Sequence, residues 1–368
     1  MRLQAVAEQT AQRRAGLPSY RGARGCGREG RVGMPATIRD VARLAGVSEA
    51  TVSRALRDLR HVHPETADAV RQAADRLGFV PSRSAAALAS GRPKVVSVVT
   101  PTVVAWFYSA VLEGVDSTLR EAGWATSLVN LVAPEGRRRL TAAELRAGQA
   151  SAHVVIGFGL DEAEQAVVRS VRDPLVTVGG RFEGVRGIGI PEEQAARLAV
   201  GHLLELGHRR IGHIGADREP DLNTAIVQPR HDAWAAMLRE AGVEPDPGWF
   251  GSGGLRLESS IAAAERLLDR PDRPTAVFAA SDESAFGVLL AAQRLGLRVP
   301  EDLSVVGLDD HPYSAAYRLT TVRQSPAEQG ARAAALLLSE LGARRGSVST
   351  APAPVGLVVR GSTAPLRP

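Results

Sequence analysis

The sequence predicts an all-α headpiece over residues 34–81, then an α/β body with parallel sheets over residues 95–368. Three observations carry this. Two short amphipathic segments meet at Gly46-Val47-Ser48. From Val95 onward, short apolar runs alternate with longer amphipathic ones, the order of parallel strands wrapped by helices. The 368 residues exceed one typical core, and the body is too long for one sheet of this type, so it is expected in two similar lobes.

Thr37 caps the first helix, with Asp40 three residues on as in a capping box. Ile38, Val41, Ala42 and Ala45 share its apolar face. Gly46 tolerates the left-handed backbone that ends a helix, and Ser48 caps the next. Val52, Ala55 and Leu56 then face inward, leaving Glu49, Ala50, Thr51, Ser53 and Arg54 outside. Small polar residues with one Arg suit a DNA major groove. The same residues alone also fit an ordinary helical hairpin. Pro64 suits the start of a third helix, with Ala67, Val70, Ala74 and Leu77 inside and Gly78 at its end. An Ala-rich segment opens at Pro81 and closes at Gly91; its stretch Ser84–Ser90 has the length of about two helical turns, too few to be stable alone in water.

The body reads as strands at Val95–Thr100, Ala125–Leu131, His153–Phe158, Leu175–Val178, Gly187–Ile190, Arg210–Gly215, Ala276–Ala279 and Ser304–Gly307. Helices are expected at Phe107–Ala122, Asp161–Val171, Glu192–Leu206, up to Ala241, Ser259–Leu268, Asp282–Leu295 and Ala327–Leu341. Near-continuous Val, Ile and Ala in the strands imply burial on both faces.

Charge is uneven. Residues 1–33 carry net +5, residues 34–94 net +4, and the remainder net −4. A basic head on an acidic body fits phosphate contacts at one end. Nearly every base is Arg, Lys94 being the single lysine. One cysteine, Cys26, excludes an intramolecular disulfide and fits a reducing cytoplasm. No apolar run approaches the ~20 residues of a membrane helix. Residues 1–33 lack helical or strand periodicity and the apolar core of a secretory signal. They read as a mis-assigned start upstream of Met34 or a disordered extension, with a basic DNA-gripping arm as the alternative.

The stretch from Thr37 to Arg92 resembles the headpiece of the lactose/galactose-repressor family of bacterial transcription regulators. It carries Thr37-Ile-Arg-Asp-Val-Ala, Ala45-Gly-Val-Ser, Thr51-Val-Ser-Arg-Ala-Leu56, Pro64-Glu-Thr and Gly78-Phe-Val-Pro81 in the family's order. The resemblance continues through Ala199-Val-Gly-His-Leu-Leu-Glu-Leu-Gly-His-Arg-Arg-Ile211, Ala279-Ala-Ser-Asp-Glu-Ser-Ala-Phe-Gly287, Val305-Val-Gly-Leu-Asp-Asp310 and Leu319-Thr-Thr-Val322. It implies a periplasmic-binding-protein-like effector domain behind a hinge at residues 82–94. The lobe nearer DNA would hold about 95–190 and 303–324, and the far lobe about 191–302 and 325–360.

The implied function is a cytoplasmic, homodimeric repressor on a palindromic operator, controlled by a small effector, expected to be a sugar. The implied DNA-contacting set is Thr37, Ser48, Glu49, Ala50, Thr51, Ser53, Arg54, His61, Ser82, Arg83, Ala85 and Leu88. Glu49 and Ala50 fall at the family's principal specificity positions, and Leu88 matches its minor-groove wedge.

Ligands bind outside the carboxyl ends of strands in such sheets. There the resemblance places Asp282 as an acceptor for effector hydroxyls, with helix capping as the alternative role. Arg230 matches an arginine at the far-lobe entrance and suits bidentate donation. Trp106, Phe107 and Tyr108 follow the first strand; stacking on a sugar or nucleobase and packing into the core are both open to them. Asp310 is a further candidate that sequence cannot separate from Asp309. Pro191-Glu192 replaces a usual Asp-Asn, Leu255 replaces a frequent aromatic, Tyr317 stands where Pro is common, and Ser82 where Asn is usual.

Catalysis is not indicated, and no cofactor or metal is expected. Gly157-Phe-Gly159 has Glu162 at the third glycine of a dinucleotide fingerprint, no G-x-S-x-G elbow occurs, and the histidines lack metal-ligand spacing. A transporter-associated solute-binding protein is the alternative; it would have a secretory signal and no headpiece. The stretch after Leu341 lacks a leucine heptad, so a dimer rather than a coil-linked tetramer is expected.

Overall fold

The computed structural model describes residues 36–56, 62–79, 93–133, 136–147, 149–157, 159–180, 184–216, 224–344 and 348–367. The chain divides into two units, Met1–Ala85 and Ala86–Pro368, a division within the expected hinge segment. The expected hinge residues Ser82, Arg83, Ala85 and Leu88, together with His61 and Cys26, lie outside the described residues.

The first unit carries α1 (Ile38–Ala45), α2 (Glu49–Ala55) and α3 (Pro64–Leu77). The capping box forms as expected: Thr37 N and Oγ1 both donate to Asp40 Oδ2, at 2.9 and 2.7 Å. Gly46 (φ 69°) and Gly78 (φ 60°) end α1 and α3 in left-handed backbone that a Cβ would disfavour. Val41, Val52, Ala55, Val70, Ala73 and Ala74 form the shared core. Leu77 departs from its expected inner place and is 36% exposed. Phe79, just beyond the Gly78 reversal, packs on that core instead.

The first lobe of the second unit carries β1 (Val95–Thr100), α4 (Trp106–Glu121), β2 (Ala125–Asn130) and a small hairpin, β3 (Val132–Ala133) with β4 (Gly136–Arg137). It continues through α5 (Ala142–Ala147), β5 (Ala152–Ile156), α6 (Glu162–Ser170), β6 (Leu175–Val178) and β7 (Arg186–Ile188). Its sheet runs β2-β1-β5-β6-β7, all parallel. The second lobe carries α7 (Glu192–Glu205), β8 (Ile211–Gly215), α8 (Thr224–Glu240), β9 (Phe250–Ser252), α9 (Leu257–Leu268), β10 (Ala276–Ala279) and α10 (Asp282–Arg294). It is completed by β11 (Ser304–Asp309), β12 (Thr320–Arg323) and β13 (Gly356–Val358), in the order β13-β12-β11-β10-β8-β9. Only the edge strand β13 is antiparallel to its neighbour in that order. All residues of β5, β8, β10 and β11 are buried, as strands covered by helices on both faces require.

The lobe assignment expected for the last third of the chain is corrected. Residues 303–324 were expected in the first lobe, but β11 pairs with β10 and β12 with β11, which places both in the second sheet. The following helix, α11 (Pro326–Glu340), was expected in the second lobe. Its Ala333, Ala334, Leu336 and Leu337 instead join Val111, Val115 and Leu119 of α4 in the first-lobe core. Two glycines allow that contact. A Cβ on Gly114 would lie 1.9 Å from the Ala327 carbonyl oxygen, and one on Gly330 would lie 2.1 Å from that of Val111. The chain therefore crosses between lobes after β7, after β12 and between α11 and β13.

Candidate functional site

Two surfaces emerge, one in each unit. On α2, Val52 is fully buried while Glu49, Ala50 and Arg54 are exposed and Thr51 and Ser53 half-buried, so the expected outer face is outside. Ser48 Oγ accepts the Thr51 N–H at 3.1 Å and lies 2.9 Å from Thr51 Oγ1. Arg54 Nε donates to the Ala50 carbonyl at 3.2 Å, which lays its guanidinium back along the helix. Arg39 of α1 donates to Glu49 Oε1 at 3.0 Å, an exposed pair that sequence reading missed because it joins two helices.

The second surface is a cleft of about 850 Å³, counting space open to solvent, between the two lobes. It lies at carboxyl ends of strands, where helix starts and loops converge. Pro101, Trp106, Phe107, Tyr108 and Gly179 line it from the first lobe, and Glu192, Arg230, Ser281, Glu283 and Asp309 from the second. Gln324 and Gln329, at the β12–α11 crossing, also line it.

The three aromatics separate, as successive residues on a helix must. Tyr108 is 8% exposed, belongs to the first-lobe core and donates its hydroxyl to the Gly157 carbonyl at 3.4 Å. Phe107 is half-buried beside Gly179, where a Cβ would meet its ring at 3.3 Å. Trp106 reaches the other lobe. Its ring meets His311 edge-on at 5.0 Å, and its backbone N–H donates to Glu283 Oε1 at 3.1 Å. Glu283 has its carboxyl pushed up by burial.

Arg230 is 4% exposed. Its Nε and Nη2 contact Glu192 Oε2 at 2.8 and 2.7 Å, and Nη1 donates to the Ala280 carbonyl. The expected bidentate donor is thus present, but its carboxylate partner is internal. Glu192 is the residue that sequence reading noted only as a departure, the second half of Pro191-Glu192. Burial raises its carboxyl pKa, against the pull of Arg230.

Asp282 and Asp310 depart from expectation. Asp282 is fully buried and outside the cleft lining. Its Oδ2 accepts from Ser314 Oγ at 2.6 Å and the His311 N–H at 2.8 Å, and its Oδ1 accepts from Thr321 Oγ1 at 2.6 Å. The carboxylate is spent on tying the loop after β11 to α10. Asp310 pairs with Arg323 at 2.7 Å and Arg360 at 2.6 Å, also away from the cleft. Asp309 takes the cleft position instead. Its Oδ1 accepts from Gln324 Nε2 at 2.6 Å, and Gln324 Oε1 accepts from Gln329 Nε2 at 2.9 Å. Burial, and then the nearby Asp282 charge, push the Asp309 carboxyl up to about 8.

Known families match a part of each unit. Residues 37–82 match the description "Bacterial regulatory proteins, lacI family", and residues 200–363 match "Periplasmic binding protein-like domain". The chain is 31% identical over 334 residues to the HTH-type transcriptional repressor CytR of Escherichia coli (strain K12), covering 89% of this chain and 96% of that protein. It is 33% identical over 292 residues to the HTH-type transcriptional regulator GalS of Salmonella typhimurium (strain LT2), covering 78% and 84%. Among solved structures, the lac repressor dimer bound to operator and the anti-inducer ONPF superposes with a TM-score of 0.75 at 26% identity, covering 90% of this chain and all of that one. A CelR–cellobiose complex superposes at 0.63 with 29% identity, covering 89% and 99%.

Proposed function

Because this chain belongs to the lacI family of DNA-binding transcription regulators, we propose that it is a cytoplasmic, homodimeric repressor of a palindromic operator, switched by a small metabolite in the inter-lobe cleft. The observation that carries the DNA half is the α2 face. Glu49, Ala50, Thr51, Ser53 and Arg54 stand outside on a helix fixed by the Val52 and Ala55 core, beside the caps Thr37 and Ser48. Arg54 donates to bases or phosphates, Glu49 accepts from a cytosine amino group, and Ala50 meets a thymine methyl. His61, Ser82, Arg83 and Ala85 extend the contacts, with Leu88 as a wedge in the minor groove.

The effector half rests on the cleft, where Trp106 and Phe107 offer ring contacts on one side, with Tyr108 in the core behind them, and Arg230 and Asp309 offer polar groups on the other. A ligand there shifts operator affinity only by its differential affinity for two lobe arrangements. The Trp106–Glu283 and Trp106–His311 contacts join the lobes directly, so they are contacts that such a rearrangement would break or keep. The CelR–cellobiose complex among its structural neighbours favours a sugar.

The test is a thermal-shift screen of sugars and nucleosides against the full chain, each hit then titrated into an operator-binding assay. At least one hit is expected to change operator affinity by 5- to 150-fold, the span of ~1–3 kcal/mol of coupling. Hits that bind yet leave operator affinity unchanged would contradict the switch.

A further inference from the structure

The buried guanidinium in the cleft is already compensated. Arg230 directs Nε and Nη2 onto Glu192 Oε2 and Nη1 onto the Ala280 carbonyl. The two side chains are 5% and 13% exposed, so the pair is largely withdrawn from water. An anionic ligand would meet a guanidinium whose charge Glu192 already offsets, and taking the Nε–Nη2 edge itself would mean displacing Glu192 and leaving its carboxylate poorly solvated. Breaking a buried pair in this way is strongly unfavourable. A further carboxyl group, Glu283, faces the same space, and the remaining cation of the lining, Arg256, is exposed. The cleft therefore offers no surplus of buried positive charge. It offers acceptors: among the described residues, Glu192 Oε1 receives no hydrogen bond, both guanidinium contacts falling on Oε2.

We propose that Glu192 excludes anionic ligands from the cleft, by neutralising Arg230 and occupying the Nε–Nη2 edge that a phosphate or carboxylate ligand would need. The inference rests on the cleft being the effector site. Arg230 keeps N–H groups beyond the three contacts above, and those can meet a neutral hydroxyl without separating the pair. Trp106 and Phe107 supply an apolar wall for the ring.

Inorganic phosphate probes this directly. At constant ionic strength, isothermal titration of phosphate into the full chain is expected to give the same weak background for wild type and for Arg230→Met. Glu192→Gln removes the compensating charge and is expected to bind phosphate at least ~10-fold more tightly than wild type, the equivalent of ~1.4 kcal/mol. The Glu192→Gln/Arg230→Met double variant should return to background. Phosphate binding by the wild type that Arg230→Met abolishes would overturn the proposal, whether or not Glu192→Gln folds. So would a folded Glu192→Gln variant that binds phosphate no better than wild type. The titration needs neither effector nor DNA, so its failure leaves the operator switch standing; failure of the operator assay with bound neutral ligands leaves the charge selectivity standing.

Discussion

Asp309 combines three costs in one residue. Its φ of 144° is a region that non-glycine residues rarely adopt, its carboxyl is buried, and Asp282 lies beside it. Backbone strain of this kind amounts to ~1–3 kcal/mol and tends to gather at functional sites. The raised pKa fixes the sign of a pH effect. Between its unfolded value near ~3.9 and its folded value of about 8, Asp309 holds a proton in the native state that the unfolded chain has released. Its contribution to stability is present below that window and lost as pH rises through it. Buried His213, held down at about 3, acts with the opposite sign between there and its ordinary range. Comparing variants isolates the carboxyl: Asp309→Asn should lose less melting temperature than wild type between pH 5 and 8 (about the upper part of that window). Parallel melting curves for the two proteins would contradict the assignment. Asp282 makes a different prediction. Asp282→Ala leaves Ser314 Oγ, Thr321 Oγ1 and the His311 N–H without their acceptor in a buried site. At ~1–3 kcal/mol for each unsatisfied group, denaturant unfolding should show a loss of ~3 kcal/mol or more. A near-neutral midpoint would mean that the carboxylate does not hold the loop.

At the scale of elements, the α4–α11 contact depends on Gly114 and Gly330. Alanine at either places a Cβ within about 2 Å of a backbone oxygen on the facing helix, so the helices must part. Overpacking of this kind costs ~1–3 kcal/mol. Gly201, inside α7, is the control: its Cβ would meet only the flexible end of Met237, at 3.4 Å. Gly201→Ala should be neutral or stabilise by up to ~1 kcal/mol, while Gly114→Ala and Gly330→Ala lower the urea midpoint. Equal effects at all three positions would refute the close crossing. The elements legible in the sequence were those specified locally. Thr37, Asp40, Gly46, Ser48, Pro64 and Gly78 mark helix ends through their own backbone and side-chain chemistry. The lobe membership of β12 and α11 was not legible, because it is set by pairing and packing partners distant in sequence. The choice between Asp309 and Asp310 depended on two successive positive φ values, 144° and 57°, which no local pattern announced. Glu192 was visible only as an odd residue at a helix start; its meaning came from Arg230, 38 positions on.

At the scale of the molecule, a three-helix unit precedes a two-lobed body along the chain. A dimer would present two α2 faces, and such heads meet half-sites about one DNA turn apart. The most direct test is selection of binding sites from randomised duplex DNA by the full chain, beside a Glu49→Gln/Ala50→Asn double variant. The wild type should enrich a two-fold symmetric sequence with half-sites spaced by about one helical turn, and the double variant should enrich different bases within each half-site. Enrichment without two-fold symmetry, or the same half-site from both proteins, would contradict operator reading by α2.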